Sequence, residues 1–231
     1  MGVEFEARGL RGRLALSWNP TRLGSATVLV RSAGLGAARL PRLDGTLEGF
    51  PAEAVLVTGL AGGCAPGIAP GDMVVASAVG PTDGGAWLEP DPQLSRQATG
   101  ALQRASVPYR TGRLLTTCEV VATPEAKAGA WQAHGALAVD MESAHVLAWA
   151  ARRGLPALAV RAVADGPSDR LPPALTRAVT PAGRVRAAAV LRWVARPTLL
   201  REAWRLGRRS GAALDRLARF LTAFVATAVE L

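Results

Sequence analysis

Two cysteines and two histidines in 231 residues leave little for a disulfide or a metal to hold. Cys64 and Cys118 form neither a CxxC pair nor a disulfide framework, and with only His134 and His145 beside them no zinc or other metal site is expected. Long apolar runs are also missing. The longest uncharged stretch, Ala54 to Gly71, is broken by Gly59, Gly62, Gly63, Pro66, Gly67 and Pro70, which a membrane-spanning helix tolerates poorly. The opening residues MGVEFEARGLRGRL lack the apolar segment of a secretory signal, so a cytoplasmic chain is expected. The common ligand signatures are absent as well. Gly34-Leu35-Gly36 is only a partial dinucleotide fingerprint, and there is neither a GxxxxGK[ST] loop nor a GxSxG elbow.

Apolar residues make up 49% of the chain, and its length suits one substantial domain with an appendage. The net charge of +9 is uneven. Residues 184–231 hold ten arginines against Glu202, Asp215 and Glu230, so +7 of that charge belongs to the C-terminal segment. A specific nucleic-acid partner does not follow from so local an excess. The chain divides at this point into a domain over 1–183 and a basic amphipathic helical extension over 184–231. In the extension Leu200, Trp204, Leu214, Leu217, Leu221 and Phe224 recur at helical spacing with arginines mostly off that stripe.

Along the domain, short apolar runs alternate with helical patterns. Strands are expected at 26–31, 54–60, after Pro70, at 112–121, before Asp140 and from Ala157. Helices are expected from near Gly36, at 92–106, after Thr123 as N-cap with Pro124 in first position, and from Met141 to Arg153 with Asp140 as cap. Gly9, Gly12 and Pro20 interrupt any long helix at the start. Strands without polar alternation, separated by helices, predict an α/β fold with a largely parallel or mixed sheet.

Two sets of residues are candidates for chemistry. One is Val57–Gly63, where a buried strand ends in small residues whose backbone N–H groups can approach a ligand. The other is the acidic set Asp140, Glu142 and Asp165, each at an element boundary, with two of them inside the apolar context of VDMES. Taken singly they also read as a tight connection, a helix cap, a dipole partner and a turn residue.

Order and spacing say more. TGLAGG, then GDMVVAS, then VDMESA, then VRAVADGPSD resembles the superfamily of nucleoside phosphorylases and methylthioadenosine/S-adenosylhomocysteine nucleosidases, over residues 2–170. GLAGG, ATPEAK, DRLPPAL and the C-terminal segment are similar to the hopanoid-associated phosphorylases, which are thought to remove adenine from adenosylhopane. The resemblance implies a single-domain α/β nucleoside phosphorylase-like fold with a central mixed sheet flanked by helices. It also implies an enzyme that cleaves the N-glycosidic bond of a purine nucleoside, with adenine as the expected base, and no cofactor beyond phosphate as a possible co-substrate.

By motif position, Asp165 matches the general acid that protonates N7 of the departing purine, a task that desolvation of its carboxyl would serve. Glu142 matches the acceptor of the ribose hydroxyls, and Met141 the side chain lying against the sugar. Val120 and Val121 fall where relatives hold the base, often with an aromatic ring. Gly59, Leu60, Ala61 and Gly62 would line the nucleophile's side. Leu60 and Ala164 stand where many nucleosidases have serine. GVEFEAR resembles the segment that follows the first strand of relatives, yet that strand is missing, so the chain is expected to begin late or to lack that edge. Glu6, with Glu4 second, is the candidate for the glutamate that activates water. If phosphate is the nucleophile, Arg31, Arg8 or a neighbouring subunit's arginine would hold it.

The resemblance favours phosphorolysis of a lipid-linked adenosine, with hydrolysis of methylthioadenosine or S-adenosylhomocysteine as the alternative. A third reading is a catalytically decayed binding module. A homo-oligomer is expected. A peripheral contact with the inner membrane face is expected through Trp193, Trp204, Phe220 and Phe224, the alternative being an extension that packs on the domain or on a partner subunit.

Overall fold

The structure, a computed structural model, describes residues 4–16, 19–23, 26–37, 40, 45, 50–172 and 197–227. In chain order the described elements are α1 (Glu4–Leu14), β1 (Thr21–Leu23), β2 (Ala26–Val28), β3 (Val55–Gly63), β4 (Met73–Pro81), α2 (Pro92–Arg104), β5 (Tyr109–Thr116), α3 (Pro124–His134), β6 (Ala136–Asp140), α4 (Ser143–Ala151), β7 (Ala157–Asp165) and α5 (Pro197–Thr227). A 3-10 turn at Leu35–Ala37 joins them.

The apolar strands form a mixed sheet that closes on itself in the order β3-β6-β5-β4-β7. β3/β7, β4/β5 and β5/β6 are parallel, whereas β4/β7 and β3/β6 are antiparallel. β7, ALAVRAVAD, is buried at all nine positions, as expected of a strand covered on both faces. Helices begin where the sequence supplies acceptors for free N–H groups. The Asp91 carboxylate accepts from Gln93 N and Leu94 N at 2.9 and 2.8 Å before Pro92 starts α2, and Thr123 Oγ1 accepts from Ala126 N at 3.2 Å before Pro124 starts α3.

Two expectations need correction, and a third falls largely outside the described residues. The strand expected at 26–31 is only Ala26–Val28, and it pairs antiparallel with β1 in a separate two-stranded sheet. Its residues are half-buried or exposed, so it gains little from burial and does not join the barrel. Where a helix is expected from near Gly36, the described residues show a 3-10 turn at Leu35–Ala37 and a helical Gly45, and most of residues 38–49 lie outside the described residues. At the start, α1 runs through Gly9 and Gly12 because tertiary packing outweighs their low propensity. Ala7 and Leu10 are buried, and a Cβ on Gly9 would lie 3.1 Å from Leu214 Cδ1, so the bare backbone lets α1 close onto α5.

The C-terminal helix belongs to the core. Leu214, Leu217, Phe220, Leu221 and Phe224 share one cluster of buried side chains with Met73, Leu158 and Val160 of the barrel and Leu94 and Leu102 of α2. Each buried Leu or Phe of this kind contributes roughly 1.5–3 kcal/mol. Phe220 and Phe224, expected at a membrane surface, are thus buried against the domain, the packed alternative to membrane contact. Trp204 is 63% exposed, with the Arg208 guanidinium 4.8 Å from its ring centroid. Trp193 and residues 184–196 lie outside the described residues. Among the described residues no helix is long and apolar enough to cross a membrane.

Candidate active site

Barrel closure brings the carboxyl ends of three strands together. β6 meets β3 antiparallel through only two pairs, Gly62↔Val139 and Gly63↔Ala138, so the ends of both strands lie side by side. β7 runs beside β3 and slips register after Ala61↔Val163, pairing Gly62 with Asp165 and skipping Ala164. Such an irregularity re-aims the side chain that follows it. At this junction lies a cavity of about 200 Å³, lined by Glu6 of α1, by Leu60, Ala61 and Gly62 of β3, by Thr117, Val120 and Val121, by Val139 to Glu142, and by Ala164, Asp165 and Leu171.

On one wall a buried arginine organises the acids. Arg161 of β7 is fully buried and pairs with Asp140 and, from Nη2 at 3.2 Å, with Glu142 Oε2. Burial by itself would discharge it, but the carboxylates of Asp140, Glu142 and Glu6 outweigh that and hold its pKa above the ordinary guanidinium value. Ser143 Oγ accepts from Arg161 Nε and Nη2 at 3.1 and 3.0 Å and donates to Asp140. Thr116 Oγ1 donates to Asp140 Oδ1 at 2.8 Å. Asp140 is therefore mainly the arginine's counterion. The cap expected of it survives only in the Ser143 N–H at 3.2 Å, because β6 ends at Asp140 and α4 starts at Ser143 instead of Met141.

Glu142, buried, accepts from Gly36 N at 3.2 Å as well as from Arg161. Desolvation raises its pKa; Arg161 opposes that and Asp140 reinforces it. Glu6 reaches the same wall from α1. Its pKa is raised to about 7, chiefly by burial and then by repulsion from Glu142, with Arg161 and the Leu60 N–H pulling the other way. Glu6 Oε2 and Arg161 Nη1 are both buried without a hydrogen-bond partner. They flank Gly59, where φ is +151° and a Cβ would stand 2.6 Å from each of these two atoms. Only glycine leaves that space open.

The other wall carries Asp165, 5% exposed. Burial raises its pKa, and the ammonium of Lys127, bonded to Oδ2, works against that. Lys127 Nζ also donates to the Gly166 and Asp169 carbonyls at 2.7 and 2.9 Å. Cys64 lies nearby, its thiol pushed up to about 12 by burial, so it is no thiolate nucleophile at neutral pH. Val120, 41% exposed, and Val121 present aliphatic surface to the cavity.

Apart from Glu4 and the arginines expected to hold phosphate, every residue expected to act on or touch the substrate lines this one cavity except Gly59, which lies just behind Glu6 and Arg161. The side chain of Glu4 lies outside what is described. Arg8 is exposed, and Arg31 lines a second, larger cavity of about 900 Å³. Neither lines the site. The sequence reading missed Arg161 and Lys127. An arginine inside the otherwise apolar ALAVRAVAD was a usable signal, since a buried cation needs buried acids, and two stood unexplained in VDMES. Among the described residues no group of three or more His, Cys, Asp or Glu side chains is placed to hold a metal ion.

A family model described as the phosphorylase superfamily matches residues 20–196. The chain belongs to the phosphorylase superfamily. The expectation of an enzyme acting on N-glycosyl bonds is borne out at that level. This superfamily member is 33% identical over 168 residues to futalosine hydrolase of Streptomyces coelicolor, an alignment covering 60% of this chain and 68% of that protein. Its fold matches futalosine hydrolase of Helicobacter pylori at a TM-score of 0.70 and 16% identity, covering 97% of this chain and 94% of the other. It also matches S-adenosylhomocysteine nucleosidase of Streptococcus pyogenes, solved with 5-methylthiotubericidin, at 0.72 and 22% identity over 98% and 94% of the two chains.

Proposed function

We propose that this phosphorylase-superfamily enzyme hydrolyses the N-glycosidic bond of a purine nucleoside, with Glu6 as the base for water and Asp165 as the acid for the leaving purine. The observation that carries the choice of water is Glu6 itself. A general base works best when its pKa lies near the operating pH, and burial beside Glu142 tunes Glu6 to about 7. Glu6 lines the cavity beside Leu60, Ala61 and Gly62, the side assigned to the nucleophile. Phosphate fits poorly against this wall. A dianion would meet Glu6, Glu142 and Asp140, while the single arginine among them is already committed to two carboxylates. The phosphorolysis favoured by resemblance to hopanoid-associated enzymes therefore yields to the hydrolytic alternative.

The chemistry follows from the two walls. Breaking C1′–N9 puts positive charge on the ribose and an electron pair on the purine. Glu142 accepts from the ribose hydroxyls and favours that charge electrostatically, while Asp165 protonates the base at N7. Water adds to C1′ as Glu6 takes its proton. Met141 bounds the sugar, and Val120 and Val121 cover the base without an aromatic stack. The test is release of free base from methylthioadenosine, futalosine and a lipid-linked adenosine such as adenosylhopane, each with and without phosphate, in water enriched in oxygen-18. Phosphate-independent release with label on the sugar C1′ supports the proposal. A sugar 1-phosphate as product, or release from the lipid-linked substrate alone and only with phosphate, restores phosphorolysis.

A further inference from the structure

Lys127 is an unusual cation for its helix. On α3 only Lys127 and Ala130 are buried, so packing by itself asks for no charge there, yet the lysine is fully buried with its ammonium bonded to Asp165 Oδ2 and two carbonyls. Taking an ammonium out of water is unfavourable by several kcal/mol unless a carboxylate and further acceptors offset it. The arrangement bears on the acid. A carboxyl that gives up its proton in so enclosed a site leaves a carboxylate that water cannot solvate.

We propose that Lys127 is the positioning residue of the leaving-group acid: its ammonium holds Oδ2 of Asp165, directs Oδ1 to the cavity, and stabilises the carboxylate formed when Oδ1 gives its proton to the purine. The inference rests on the assignment of Asp165 made above. In the step, C1′–N9 breaks with its electron pair passing to the purine, the Asp165 proton goes to N7, water adds to C1′, and its other proton goes to Glu6. Lys127 keeps its protons throughout. Burial and Asp169 raise the acid's pKa, whereas Lys127 and Arg209 of α5 lower it; Cys64 faces the pair as a neutral thiol. The lysine thus pulls the acid's pKa down against the rise that burial causes.

The experiment compares Lys127→Met and Lys127→Gln with the unaltered enzyme on methylthioadenosine and on 4-nitrophenyl riboside, whose leaving group departs without a proton. The Gln variant keeps N–H donors for the two carbonyls and carries the test if the Met variant does not fold. Loss of one charge-assisted hydrogen bond predicts a drop in kcat of about 10- to 100-fold on methylthioadenosine. Cleavage of the nitrophenyl riboside should stay close to that of the unaltered enzyme. The alkaline limb of the methylthioadenosine pH profile should move upward, because the charge that lowers the acid's pKa is gone. Equal losses on both substrates, or an unmoved alkaline limb, overturn the role. Asp165→Asn separates the two levels. If it cleaves methylthioadenosine normally the acid assignment itself fails, whereas its loss alongside equal Lys127 losses on both substrates overturns only the lysine.

Discussion

Replacing Glu6 by glutamine should make the protein more stable and inactive at once. Glu6 is 7% exposed, and its pKa rises from an ordinary 4.5 to about 7. Because the folded value is the higher one, the folded state holds this proton more tightly than the unfolded chain. Stability is therefore complete below about pH 4.5, falls as pH rises toward about 7, and stays low above that. The whole difference amounts to about 3 kcal/mol. Glutamine has no proton to lose, keeps an oxygen for the Leu60 N–H, and escapes that penalty.

For a chain of this size each kcal/mol moves Tm by roughly 2–4 °C, so Glu6→Gln should melt about 6–12 °C higher than the unaltered protein at pH 8. The gain should shrink to roughly a quarter of that at pH 5 and to near zero below about pH 4. Thermal unfolding of both proteins across that range, followed by circular dichroism, reads it directly. Glu142 and Asp165 also have raised pKa values, but they are common to both proteins and largely cancel in the difference. A melting difference independent of pH, or a variant less stable throughout, would refute the reasoning. Base release from the same variant should fall by roughly 10²–10⁴-fold, the usual contribution of a positioned acid or base.

Other expectations follow from the same geometry. Arg161→Met strands Asp140 and Glu142 as buried unpaired carboxylates and should cost about 3–5 kcal/mol, read as a lower urea midpoint at pH 8 that recovers in part at lower pH as Glu142, whose pKa burial already raises, takes up a proton. Gly59→Ala pushes a methyl group toward Glu6 Oε2 and Arg161 Nη1 at a positive φ; it should lose about 1–3 kcal/mol of stability and much of kcat. Phe220→Ala, deep in the contact of α5 with the barrel, should cost about 3–5 kcal/mol in chemical denaturation. Its binding to anionic vesicles should not change, since this ring faces the core.

What could be read from the sequence, and what could not, divides along the distance over which the cause acts. β3 and β7 were legible because burial on both faces leaves a local mark, an apolar run without alternation. The caps at Asp91 and Thr123 are local too, although only Thr123 was singled out. β1, a three-residue strand on the surface, left no such mark, and the run read as a strand over 26–31 is strand only at the three residues of β2. Asp165 and Glu142 were legible through the order of their motifs, not through any feature of either carboxylate. The cations were not. Lys127 meets Asp165 across 38 positions of the chain, and Arg161 meets Glu142 across 19, so neither pairing has a local signature. Arg161 and Glu142 meet only because a closed sheet sets the end of β6 against β3, which pairs with β7. The two acids of VDMES can stand in the core because the next strand along the chain, β7, has an arginine at its fifth position, and closing the barrel turns that separation into contact. The same closure sets Glu142 and Arg161 beside Glu6, where burial and repulsion from Glu142 raise the pKa of Glu6 toward the range a base needs and Arg161 opposes them. Fold stability and catalytic tuning here act through one cluster, and a change that relieves the first should be expected to damage the second.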